Sequence, residues 1–320
     1  MTEYNQILVT FFLFSYNQEK YIKDACVAAL AQTYSPLEII FSDDCSSDRT
    51  FELIEGIVEN YKGPHKIRIN RNEKNLGLIG HVNKAFEISS GDLIVAAAGD
   101  DVSLPNRVKC LADAYELNER RALVIHSSAT KINDLNHALG IFVPPVIDSP
   151  MSFVELVDCQ SLYIGATAAW SRSIYTSFGP IVFADAYEDL VLGFRAVVKD
   201  SLLYVNMPLV QYRVGVGISS KSNISILNIF KRIALRKKKM KMMLDVYSQR
   251  LKDIGNINIV GEGKGEVVKS RLLKNINFQR NRLLFYENPL WLLINIFSKN
   301  FVIAIRSINS EVKHLAGLND

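Results

Sequence analysis

Cysteine is sparse in this chain of 320 residues: there are four, Cys26, Cys45, Cys110 and Cys159, with no CxxC pair and no pairing rhythm. Their scatter excludes a disulfide framework and a thiolate metal cage, and fits reduced, packed side chains in a cytoplasmic setting. Long apolar runs are missing too, and none is the length of a bilayer span. The opening stretch MTEYNQILVTFFLF places an acid, not a basic segment, before its apolar residues and shows no small-residue cleavage site. No secretory signal is therefore expected. There is neither a Gly-x-Gly-x-x-Gly after the first apolar run nor a Walker A lysine loop. Ordinary dinucleotide and P-loop chemistry are disfavoured.

Acids are scarce in one part only. Residues 1–218 hold 18 Lys+Arg against 26 Asp+Glu, and residues 219–320 hold 19 against 7, so the net +4 hides segments of −8 and +12. Two segments of opposite sign suggest two jobs, with an anionic partner for the basic one. Hydrophobic content of 48% is ample for a packed core.

Apolar runs and helical periodicities alternate through the first hundred residues. Residues 7–14 (ILVTFFLF) read as a central parallel strand, and Asn17 is expected to cap a helix over 18–32. A second strand is expected over 37–41, a helix over 49–61, a short strand over 66–70, and a helix over about 79–89. The fourth strand, 93–98 (LIVAAA), breaks at Gly99 into Asp100 and Asp101. This is the pattern of a doubly wound α/β sheet, whose ligands bind beyond the carboxyl ends of the strands. Asp44 and Asp100 fall at such ends. Two carboxylates there can hold a divalent cation that keeps room for phosphate oxygens; alone, Gly-Asp-Asp reads equally as a turn.

Several segments together resemble family 2 glycosyltransferases, of the GT-A type fold. They are Phe14-Ser15-Tyr16-Asn17, Gln32-Thr33-Tyr34, Ser42-Asp43-Asp44-Cys45-Ser46-Ser47-Asp48, Asn75-Leu76-Gly77, Gly99-Asp100-Asp101 and Glu188-Asp189. The ordered set spans about 210 residues; each piece alone is weak. The resemblance implies a mostly parallel sheet flanked by helices, with a nucleotide-sugar-binding half over about 1–105 and an acceptor half over about 106–218. It implies an inverting transfer from a nucleotide-diphosphate sugar, UDP by family habit, to a glycan or lipid-linked glycan hydroxyl in surface-polysaccharide assembly (O-antigen or capsule). Phe14, Tyr16, Asn17, Asp43, Asp44, Asn75, Gly77, Asp100 and Arg213 would then bind the donor, Asp44 at the nucleobase edge. Asp100 and Asp101 would hold Mn²⁺ or Mg²⁺. Ala98 stands where the family's Asp-x-Asp-Asp motif has its leading acid, so weaker metal binding is expected.

Leu190, Val191, Phe194 and Val198 fall on one helical face, which puts Glu188 and Asp189 at a helix start, where the dipole favours carboxylates. Asp189 is the expected general base, Glu188 its neighbour and Asp185 its rival. Residues 123–128 form an expected strand, residues 136–150 a loop, and 202–205 another strand before Tyr212-Arg213. Trp170 is expected to pack, and His126 receives no role. The region 219–320 is expected to be helical, and residues 224–251 to form a basic amphipathic helix. That helix either lies on anionic lipid at the inner face of the membrane or packs with its basic face solvated. Residues 290–301 strengthen the interfacial reading, and no nucleic-acid motif accompanies the lysines. A sugar nucleotidyltransferase would show a glycine-rich basic loop after the first strand, which residues 15–20 lack. A non-catalytic module of the same fold is the remaining alternative.

Overall fold

The computed structural model describes residues 6–144, 155, 158–159, 162–215, 229–255, 264–288 and 301–315. These fall into two compact units: Met1–Ser152 with Cys159–Ile181 and Glu188–Ser222, and Phe153–Asp158 with Val182–Tyr187 and Asn223–Asp320.

The first unit is built on β1 (Val9–Ser15), α1 (Ile22–Leu30), β2 (Leu37–Asp43), α2 (Thr50–Glu59), β3 (Lys66–Arg71), α3 (Gly77–Ile88) and β4 (Leu93–Ala98). It continues through β5 (Val102–Ser103), α4 (Arg107–Leu117), β6 (Val124–Ile132), β7 (Ala138–Phe142), β8 (Ala169–Ser171), α5 (Arg172–Phe178), α6 (Glu188–Val198) and β9 (Leu202–Arg213). The strand order is β3-β2-β1-β4-β8-β6-β9-β5, with β7 paired to β6. The first four strands are parallel. Beyond β4 the sheet is mixed, with β8 antiparallel to both neighbours and β9 parallel to β6.

The strands form where β-branched and aromatic residues run without interruption. Every residue of β2 is buried, and all but one of β1. The edge strand β3 alternates lysine and arginine with isoleucine and stays half-exposed. Alternate residues of the central strands serve two faces. Val9, Phe11 and Leu13 join Ile39, Phe41 and Val95 beneath Ile22 and Cys26 of α1 and Leu111 of α4. On the other face Phe14 lies against His81, and Phe86 stacks on Trp170 at 5.5 Å. Burying side chains such as Phe11, Phe12 and Phe41 contributes ~1.5–3 kcal/mol each.

Three expectations are corrected. Asn17 is no helix cap: it sits at φ 52° in the loop, and α1 starts at Ile22 without a side-chain cap. Within residues 136–150, the Ala138–Phe142 segment is a strand, because it finds backbone partners along β6. The strand at 202–205 runs on to Arg213, so Tyr212 and Arg213 lie on it.

The described helices of the second unit are α7 (Ile229–Gly255), α8 (Lys264–Glu287) and α9 (Phe301–Leu315). Met240, Met243, Val246 and Tyr247 of α7 are buried, as are Val268, Leu272 and Ile276 of α8. These side chains of α7 are spent on packing, while its Leu235 is exposed. Its Arg236 reaches the buried Glu311 at 3.1 Å, which also accepts from Arg282 and from the Tyr286 hydroxyl at 2.8 Å. Lys237 pairs with Glu287 at 3.3 Å. Lys238, Lys239 and Lys241 are exposed. Residues 224–228 and 290–300, also read as interfacial, lie outside the described residues. No helix among the described residues is long and apolar enough to cross a membrane.

Candidate active site

Parallel pairing of β1, β2 and β4 brings Ser15, Asp43 and Ala98 to one edge of the sheet. The loops that follow carry most of the expected site residues. Asn17 joins two of them: its N–H donates to Ser46 Oγ at 2.8 Å, and its Oδ1 accepts from Ser47 N at 2.8 Å. Tyr16 beside it is 46% exposed, open to a ligand. Phe14 is partly covered, with His81 edge-on at 4.9 Å.

The two acids after β2 have different tasks. Asp43 is fully buried, and its oxygens accept from Ser46 N at 2.8 Å, from the Ser46 hydroxyl, and from Ser15 Oγ at 3.4 Å. It builds the turn. Asp44 Oδ1 accepts from Asn72 Nδ2 and Leu76 N, both at 2.8 Å, and Oδ2 accepts from Gly77 N at 3.0 Å. The same Gly77 N–H meets Asn75 Oδ1 at 2.8 Å. Gly77 sits at φ 70°, which an L side chain rarely adopts, so the turn that aims these N–H groups needs glycine.

After β4, Asp100 and Asp101 are both buried. Burial raises the pKa of each, and for Asp101 the neighbouring Asp100 charge adds to the rise. Gln18 hydrogen-bonds Asp100, and a Cβ at position 99 would push against its Oε1 and displace it from that bond. Asp101 Oδ1 accepts from Arg213 N at 2.8 Å, while its buried Oδ2 has no hydrogen-bond partner. An orphaned carboxylate oxygen in a buried acid pair is an unmet demand for positive charge. The donor set fits a hard divalent cation that takes its other ligands from water and phosphate. No group of three or more acids, histidines or cysteines joins them among the described residues.

Two arginines brace this loop from inside. Arg213 is 1% exposed; it donates to Asp100 O at 2.9 Å, Asn133 O at 2.8 Å and Asn136 Oδ1 at 2.6 Å, and lies over the Tyr21 ring. It was expected to reach the donor; the structure spends its guanidinium on these oxygens. Arg107, fully buried, donates to Ser103 Oγ at 2.9 Å, Ala96 O at 2.6 Å and Ala166 O at 2.7 Å. Burial pulls its pKa down to about 9 against the Asp101 charge.

Arg107 thereby ties β4 to the 165–168 turn, which abuts the start of α6. A Cβ at Gly165 would stand 2.0 Å from Glu188 Oε1, and one at Gly193 would stand 3.0 Å from the Tyr163 ring. Asp189 Oδ1 accepts from Leu190 N at 2.7 Å. The helix start was expected to keep these carboxylates ionised. For Glu188 burial wins: with the Asp189 charge beside it, its pKa is pushed up to about 8. Trp170, 1% exposed against Phe86, packs as expected, and His126 is buried between Tyr163 and Tyr204. Sequence reasoning missed Gln18, Asn72, His81, Arg107 and Tyr163; for Gln18 the adjacent Gly99 was the one available signal.

A parallel first half, an acid pair after its fourth strand and a mixed second half define a GT-A type fold. Solved structures agree: S. aureus TarS 1–349 in complex with UDP-GlcNAc superposes with a TM-score of 0.57 at 16% identity, over 97% of this chain and 83% of that one. Residues 10–154 match the sequence profile "Glycosyl transferase family 2". An uncharacterised glycosyltransferase of Haemophilus influenzae is 32% identical over 112 residues, 35% of this chain and 34% of that protein. One from Nostoc sp. is 26% identical over 201 residues, 59% and 62%. The chain thus spans between about a third and three fifths of the length of these relatives.

Proposed function

We propose that the chain is an inverting glycosyltransferase that moves a sugar from a UDP-sugar to a hydroxyl of a glycan or lipid-linked glycan. The observation that carries the reading is the buried acid pair Asp100–Asp101, with an orphaned carboxylate oxygen, beyond the carboxyl end of β4. UDP is favoured because the TarS neighbours were solved with UDP and with UDP-GlcNAc. Phe14, Tyr16 and Asn17 frame the nucleoside, Asn75 and Gly77 shape its wall, and Asp44 offers its last free lone pair to a base N–H. Asp43 and Arg213 act from behind, by holding the loops.

Mn²⁺ or Mg²⁺ held by Asp100 and Asp101 would neutralise charge on the departing diphosphate. Asp189 takes the proton of the acceptor hydroxyl as that oxygen bonds to the anomeric carbon and the carbon–phosphate-oxygen bond breaks. Attack on the face opposite the diphosphate inverts the centre, and the electron pair leaves with UDP. Burial and the Asp189 charge push the Glu188 pKa up to about 8, which makes Glu188 the weaker candidate for an ionised base at neutral pH. A surface-polysaccharide acceptor at the inner membrane face is part of the proposal. Contact there would run through the exposed Lys238, Lys239 and Lys241 by charge, with Leu235 exposed on the same helix.

The test is calorimetric titration of UDP with and without Mn²⁺. Metal-dependent binding abolished by Asp100→Ala, and turnover lost in Asp189→Asn with donor affinity kept, are the expected results. Absence of UDP binding in both conditions would overturn the reading.

A further inference from the structure

A line of buried and half-buried polar side chains leads away from Asp44 and ends at His81 on α3, one helical turn on from Gly77. Asn72 Nδ2 donates to Asp44 Oδ1 at 2.8 Å, and Asn72 Oδ1 accepts from Asn70 Nδ2 at 3.0 Å. The same Asn70 nitrogen donates its second hydrogen to Ser42 Oγ at 2.9 Å. Ser42 Oγ lies 2.7 Å from His81 Nε2. His81, Ser42, Asn72 and Asp44 are 4%, 0%, 6% and 3% exposed, so water does not replace these partners.

Donor counting runs outward from the Asp44 carboxylate, which only accepts. Ser42 Oγ accepts from Asn70 and meets His81 Nε2 at 2.7 Å, with the donor of that bond set by the His81 tautomer. Burial pulls the His81 pKa down to about 4 despite the charges of Asp44 and Asp43, so the ring is neutral. Edge-on packing against Phe14 at 4.9 Å and Phe12 at 5.9 Å holds the ring in place. With Ser42 fixed, both Asn70 N–H bonds are committed. The Asn72 amide then has one acceptable orientation: a flip would set its oxygen against the Asp44 carboxylate and its NH₂ against that of Asn70. Asp44 Oδ1 is thus filled by Asn72 and Leu76, and Oδ2, holding only Gly77 N, keeps one lone pair.

We propose that His81, Ser42, Asn70 and Asn72 form a positioning relay that fixes the Asp44 carboxylate so that one oxygen lone pair, and no more, faces the nucleobase edge. The inference rests on the reading of Asp44 as the base-recognising acid. The relay confers selectivity: a base presenting an N–H to that lone pair is accepted, and one whose N–H is blocked is refused.

The experiment compares UDP, N3-methyl-UDP and inorganic pyrophosphate, each titrated with Mn²⁺ into wild type and Asn70→Leu. Asn70 makes no hydrogen bond to Asp44, and leucine matches its size without adding charge. Loss of ordered, charge-assisted hydrogen bonding is worth about tenfold or more in affinity. In wild type, UDP should therefore bind about tenfold more tightly than the methylated analogue. In Asn70→Leu that ratio should fall towards one with pyrophosphate affinity unchanged. An unchanged ratio in a variant with a wild-type melting transition would overturn the relay. Should Asn70→Leu fail to fold, Ser42→Ala is read in the same way. Wild type that binds UDP without preference over the analogue would instead overturn the base-recognition reading beneath it.

Discussion

Glu188 allows the electrostatics of the site to be tested through stability. Its carboxyl is pushed from an ordinary 4.5 up to about 8, first by burial and then by the Asp189 charge. A group whose pKa is higher folded than unfolded contributes fully below the unfolded value and loses that contribution as pH rises through the folded one. Each pH unit across that window costs about 1.4 kcal/mol. Wild type should thus lose under about 1 kcal/mol from this group at pH 5 and about 3 kcal/mol at pH 7. Glu188→Gln keeps the shape and removes the titration. Its stability advantage over wild type should grow from below about 1 to about 3 kcal/mol between pH 5 and pH 7. The assay is urea unfolding followed by Trp170 fluorescence in a Trp291→Phe background, because the chain has two tryptophans and Trp170 is buried in the unit concerned. A difference between the two proteins that does not change with pH would refute the account of a neutral, buried Glu188.

Two glycines should respond to alanine with opposite signs. Gly77→Ala meets no atom within 4 Å but must hold φ 70°, costing about 1–2 kcal/mol; Gly56→Ala, equally unobstructed inside α2, should gain about 0.5–1 kcal/mol. Urea midpoints of the two variants, on either side of wild type, are the check. Arg213→Lys cannot keep three acceptors on a fork and should cost about 3 kcal/mol; the same midpoints should fall, and Mn²⁺-dependent UDP affinity with them.

The parallel half of the fold was legible because its signal is local. An uninterrupted apolar run such as residues 93–98 has few ways to be buried, and the polar turn after it marks the edge where loops gather. The second half was less so. Residues 138–142 are exposed and carry no strand pattern of their own; they are a strand because β6 lies beside them. The basic run of α7 left an interfacial and a packed reading open, because sequence shows which residues are apolar but not what they pack on. The same limit applies within the site. Asp100, Asp101 and Asp44 stood out by type and position, whereas Arg213 read equally as a phosphate ligand and as a structural arginine because burial is invisible in a string. Gln18, Asn72 and His81 were missed because their roles come from partners 82, 28 and 39 positions away.

Arg107 and Arg213 together have a consequence for how such a chain can diverge. Arg213 holds the Asp100–Asp101 loop through the Asp100 carbonyl and its own backbone N–H, and Arg107 ties β4 to the 165–168 turn through the Ala96 and Ala166 carbonyls. Main-chain acceptors are the same whatever side chains surround them, so substitutions that spare Asp101, Ser103 and Asn136 leave this scaffold its partners. Side chains around the acid pair can therefore change one at a time while the two arginines stay as the frame that carries it.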